Sequence, residues 1–183
     1  MRLIEDDKLE DGLAKMDEIT RLNPDFAPMV GMQKFDILMD QQKYDKAYDV
    51  AKKLIDGPCA EGPNTLNAIA RAIVDPEADV AERDAKLAMK AAEKAAKLTK
   101  GKNAAILDTL ARCCWCEGEK AKAIETATKA FELARQDDGM PDDLKEGIKA
   151  SLDEYKKGVM GEKKDGEPKK DKGKRGSSGE QDA

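Results

Sequence analysis

Cys113, Cys114 and Cys116 fall within four residues, with Trp115 among them, and form the densest group of chemically capable side chains in the sequence. Cys113 and Cys116 have the C-x-x-C spacing of a dithiol, and a fourth cysteine, Cys59, lies in the stretch Gly57-Pro58-Cys59-Ala60-Glu61-Gly62. Thiol–disulfide chemistry needs a thiolate, usually held at a helix N-terminus that follows a strand. Here the pattern puts the cluster near the C-terminal end of a helix, where the macrodipole opposes a thiolate. No strand pattern precedes it, and Cys114 falls on the apolar face, so the cysteines read as small structural hydrophobes. Cys59 reads as an ordinary loop thiol. Zinc is disfavoured because adjacent ligands on one helix point apart and no second cysteine pair or histidine is present. The absence of histidine also removes the usual general base and rules out serine–histidine and cysteine–histidine catalysis. Gly101-Lys102 lacks the remaining positions of a phosphate-binding loop and reads as a helix C-cap. The sequence therefore assigns no catalytic residue, metal or cofactor. A thiol–disulfide enzyme using Cys113 and Cys116 remains an alternative, and it predicts a thiol of low pKa.

The elements that carry these residues are helical. Aromatic residues make up 4% of the chain, β-branched residues form no runs, and Ala, Leu, Lys and Glu abound. Leu107, Leu110, Ala111 and Cys114 stand at i, i+3, i+4 and i+7, one face of a helix. Gly118-Glu119 breaks the period, and Ala123, Ile124, Ala127, Ala130 and Phe131 resume it. A break that short forces two helices antiparallel. The pattern recurs upstream, in Leu66, Ile69, Ala70 and Ile73 followed by Ala88, Ala92, Ala95 and Leu98, and in Phe35 and Leu38 followed by Tyr44, Ala47, Ala51 and Leu54. Leu13, Met16, Ile19 and Leu22 mark a helix that ends at Asn23-Pro24. Gly12, Ala47, Ala88 and Ala123 read as equivalent small residues at helix crossings, and the insertion Asp75-Pro76-Glu77-Ala78-Asp79 lengthens the middle unit.

These residues resemble the tetratricopeptide repeat, whose unit is close to 34 residues. Gln42-Lys43-Tyr44-Asp45-Lys46-Ala47 is similar to that family's turn into its second helix, and Leu22-Asn23-Pro24 to its terminal proline. The resemblance implies an all-α, right-handed superhelical array of antiparallel helix pairs with a capping helix. Residues 1–158 form this domain: an orphan helix over 3–23, pairs over 27–56, 63–99 and 103–136, and a cap over 141–158 that carries Leu144, Ile148, Leu152 and Tyr155 on one face. Residues 159–183 have almost nothing apolar and read as a disordered charged tail. In this family the first helices of successive units line a groove. The resemblance places Asn67 and Arg71 of one unit level with Asp108 and Arg112 of the next, and Trp115 one turn further on, as a partner-binding groove. The groove lacks the basic carboxylate-clamp pattern of chaperone-binding members. The implied function is a non-catalytic protein–protein interaction module.

A narrower resemblance concerns Ala68-Ile69-Ala70-Arg71-Ala72-Ile73-Val74-Asp75-Pro76 through Thr99-Lys100-Gly101-Lys102-Asn103-Ala104-Ala105-Ile106-Leu107-Asp108-Thr109-Leu110-Ala111. It is similar to helical regions that follow thioredoxin-like domains in some bacterial thiol-disulfide oxidoreductases. That implies a thioredoxin-like domain as partner or parent, which would account for the orphan helix. Residues 156–183 carry nine Lys or Arg against six Asp or Glu, so the net −5 of the chain leaves −8 on the rest, a sign unsuited to nucleic acid. No stretch reads as a membrane span or signal-peptide core, so membrane insertion is not expected. The expected location is cytoplasmic as the chain stands, or the bacterial envelope or periplasm if it belongs to an exported redox protein. A third reading, an oligomerising scaffold, uses the exposed face of residues 3–23; the oligomeric state is open.

Overall fold

The apolar spacing is realised as helices in the computed structural model, which describes residues 2–78 and 80–165, with side chains placed for 8–78 and 80–159. Eight α-helices follow one another among the described residues: α1 (Arg2–Leu22), α2 (Ala27–Asp40), α3 (Tyr44–Asp56), α4 (Pro63–Val74), α5 (Ala85–Leu98), α6 (Ala104–Cys116), α7 (Lys120–Gln136) and α8 (Asp142–Asp165). A 3-10 turn, Pro24–Phe26, joins α1 to α2. No strand occurs among the described residues.

Five of the helix starts have a local cause. Asp84 accepts the Leu87 N–H at 2.9 Å to open α5, and Asn103 accepts the Ile106 N–H at 3.1 Å to open α6. Prolines stand in the first turns of α2 and α4, where their missing N–H is no loss. Asp142 and Asp143 complement the positive end of α8. Three ends share one bonding pattern. Lys43, Gly101 and Glu119 donate back to Leu38, Ala96 and Cys114, while Gln42, Lys100 and Gly118 donate to Met39, Lys97 and Trp115. This is the Schellman arrangement, and it puts Gln42 (φ 55°), Lys100 (φ 54°) and Gly118 (φ 79°) in the left-handed region.

Consecutive helices pack as the pairs α2/α3, α4/α5 and α6/α7, and α3/α5 and α4/α6 contacts join the pairs. Alanine governs the crossings. Ala47, Ala51, Ala88, Ala92, Ala95, Ala123, Ala127 and Ala130 are wholly buried, and Phe35, Leu38, Ile55, Leu66, Ile69 and Ile73 fill the space beside them. Gly12, expected to be a fourth equivalent of these crossing residues, is instead exposed and would have open space at its Cβ. Helix α1 rests on α2 and the 3-10 turn, and its Leu13 is buried in the core.

The insertion after α4 is tied down by Arg83, whose guanidinium donates to the carbonyls of Ile73 (2.9 Å), Asp75 (2.7 Å) and Ala78 (2.8 Å). Helix α8 closes the far end by packing on α7 and α6. It continues to Asp165, so residues 159–165, expected to be disordered, are helical. Val159-Met160-Gly161-Glu162-Lys163-Lys164 contains good helix formers, and an established helix propagates through such residues at little cost. The remainder of the expected tail, residues 166–183, lies outside the described residues.

Candidate functional site

Asn67 and Arg71 stand one turn apart on α4, and Asp108 and Arg112 one turn apart on α6. Because α4 and α6 are neighbours, the four line a single groove of about 390 Å³. The far wall is α8, through Asp143, Leu144, Gly147, Ile148, Ser151 and Glu154. Helix α8 thus serves both as cap and as one side of the site. The link runs through Arg112, whose Nη2 donates to Ser151 Oγ at 2.9 Å, while Ser151 donates to the Gly147 carbonyl at 3.2 Å. Arg71 is mostly exposed and pairs with Asp75 at 3.7 Å.

Trp115 does not join them. It stacks on Tyr155 of α8, with ring centroids 4.8 Å apart, and Lys120 lies over it at 5.5 Å. A Cβ at Gly158 would meet the indole at 2.8 Å. Trp115 therefore packs α6 against α8, correcting its expected place in the groove. A half-buried indole beside an apolar helix face gains more from stacking than from water.

The groove is electrostatically uneven. Burial raises the Asp108 carboxyl above the usual carboxylate range, against the opposing pull of Arg112, the Ser151 hydroxyl and Arg71. Asp108 Oδ1, Asn67 Oδ1 and the Tyr155 hydroxyl are buried without a hydrogen-bond partner. Buried acceptors in that condition are uncommon and energetically costly.

The cysteines are arranged for packing. Cys59, Cys113 and Cys114 are buried and Cys116 is exposed; all four are free. Burial is the largest influence on each and raises every one of the four thiols. No group of three or more potential metal-binding side chains occurs among the described residues. No described helix is long and apolar enough to cross a membrane.

Ser151 and Glu154 enter the site from a helix that the sequence marks only as a cap. Arg112 and Ser151 are 39 residues apart, and no local spacing announces their pairing.

No protein-family model matches the chain, and no curated protein sequence matches it significantly. Among solved structures, one described as a "MamA RS-1 ArsTM double mutant" aligns with a TM-score of 0.52 at 18% identity, over 75% of this chain and 72% of that one. That likeness concerns the fold, which is a tetratricopeptide-type array of antiparallel helix pairs.

Proposed function

We propose that residues 1–158, with the continuation of α8, form a non-catalytic interaction module whose α4–α6–α8 groove receives a segment of a protein partner. The observation that carries this reading is the convergence of Asn67, Arg71, Asp108 and Arg112 from two successive pairs on one groove with unpartnered acceptors. An enzyme built on the cysteine cluster has no support in the thiols, which are shifted upward.

Two open helical glycines give a matched test. Gly147 lines the groove and Gly12 lies on α1; a Cβ at either meets nothing within 4 Å. Gly147→Leu puts a side chain into the groove without changing charge, and Gly12→Leu adds the same bulk elsewhere. Co-purification of partner proteins should be lost for Gly147→Leu and kept for Gly12→Leu. Equal capture by the two would contradict the groove.

The narrower reading, docking of a thioredoxin-like domain, draws support from the resemblance of residues 68–76 and 99–111 alone. Titration of the array with such a domain, comparing wild type with Gly147→Leu, tests it. The scaffold reading draws on Ile19, Leu22, Phe26 and Met29, exposed large hydrophobics along the turn from α1 to α2. Sedimentation equilibrium should then show association abolished by Leu22→Glu; a monomer at all concentrations would exclude it.

A further inference from the structure

The groove's lining residues include five carboxylates, Asp75, Glu77, Asp108, Asp143 and Glu154, against two guanidiniums, Arg71 and Arg112. Both arginines are already engaged, Arg71 with Asp75 and Arg112 with Ser151. The lining thus holds three more carboxylates than guanidiniums, a surplus that attracts a positive ligand, although the charges acting on Asp108 itself are those of Arg112 and Arg71. Two buried oxygens of lining residues, Asp108 Oδ1 and Asn67 Oδ1, have no donor; the amide oxygen accepts always and the carboxyl oxygen accepts when Asp108 is ionised. Tyr155, 2% exposed and outside the groove lining, carries a further unpartnered hydroxyl behind it, on which the charges of both Arg112 and Asp108 act. Val74, Ala105, Leu144 and Ile148 supply apolar wall beside these groups.

We propose that this groove is a cation-accepting pocket: it takes a lysine or arginine side chain of the partner segment, with the charged head on Asp108 and Asn67 and the methylene stem along the apolar wall. The assignment rests on the groove reading above and specifies its ligand. Lysine and arginine match all three features. Their N–H groups satisfy acceptors, their charge offsets the carboxylates, and their stems bury against apolar surface. An acidic side chain would face five carboxylates and leave both acceptors unpaired. A neutral amide would pair the acceptors and leave the field uncompensated.

The test uses the full chain and a fluorescein-labelled peptide of three Ala-Lys-Ala units, read by anisotropy at 0.15 M salt. Acetylation of the lysines should weaken binding by about tenfold or more. Asp108→Asn and Asn67→Leu should each weaken it by about tenfold, an effect expected of losing a hydrogen bond to a charged group. Asp49→Asn, an exposed change of equal charge on α3, should alter it less than about twofold, as expected for a screened surface charge. Thermal unfolding confirms that each variant is folded. Equal losses in Asp49→Asn and Asp108→Asn would overturn the pocket in favour of a diffuse field. Undiminished binding of the acetylated peptide would overturn it as well. If the matching Ala-Glu-Ala peptide binds instead, and Gly147→Leu abolishes that binding, the cation assignment falls while the groove itself stands.

Discussion

Asp108 shows how much a single residue contributes here. Its carboxyl is raised by burial despite two nearby arginines, so its charged form is disfavoured in the fold. The native state therefore holds its proton to higher pH than the unfolded chain does. The sign follows: around neutrality the buried charge lowers stability, and this penalty is relieved as pH falls through the raised native pKa toward the unfolded value. Asp108→Asn should raise the urea midpoint at pH 7, with the gain shrinking as pH falls through that window. A midpoint that drops at pH 7 would show that Asp108 is a structural ion pair. The cysteines give a second check. Native protein should release one thiol to a disulfide reagent, Cys116, and all four after unfolding, because only Cys116 is exposed. Rapid reaction of more than one in the native state would contradict the packing role. The cysteine reading was legible because helix position and the missing histidine bear directly on thiolate chemistry. Trp115 was not, since its place depends on Tyr155, 40 positions away.

At the scale of elements, periodicity does most of the work. Short apolar repeats broken by Gly118, Asn103 or Pro24 mark helices, since one face alone of each must be dry. Their ends offer a sharp test. Gln42 occupies a left-handed position that costs a non-glycine residue on the order of 1 kcal/mol. Gln42→Gly should therefore stabilise the fold by roughly that amount, and Gly118→Ala should destabilise it by a similar amount, both read from denaturant unfolding. A destabilising Gln42→Gly or a stabilising Gly118→Ala would mean that the turns between paired helices are not held as described. Helix α8 is where element-level reading stops short. Leu152 and Tyr155 signal that the helix packs, yet nothing local to residues 142–165 says that it also walls a groove. Its hold on α6 comes through Ser151 and through Gly158, whose missing Cβ admits Trp115.

At the scale of the molecule, stability is spread along the chain. Each pair touches mainly its neighbours, and wholly buried alanines set how closely the helices approach. Such an array offers its groove as an extended surface between units, built from residues that lie far apart in sequence. That Asn67, Arg71, Asp108 and Arg112 line one groove was legible because repeats place equivalent positions side by side; that a partner binds there is the proposal. The insertion was legible as a longer step between units, but the role of Arg83 in closing it was not, because a guanidinium reaching three carbonyls leaves no periodic trace. A partner segment is proposed to lie between α4, α6 and α8. Site-specific photo-cross-linking tests it directly, with the reactive residue placed at Ala105, an exposed position in the groove, or at Glu125, an exposed position on α7. Partner adducts are expected from Ala105 and not from Glu125, mapping to segments that contain lysine or arginine. Adducts from Glu125 with none from Ala105 would contradict it.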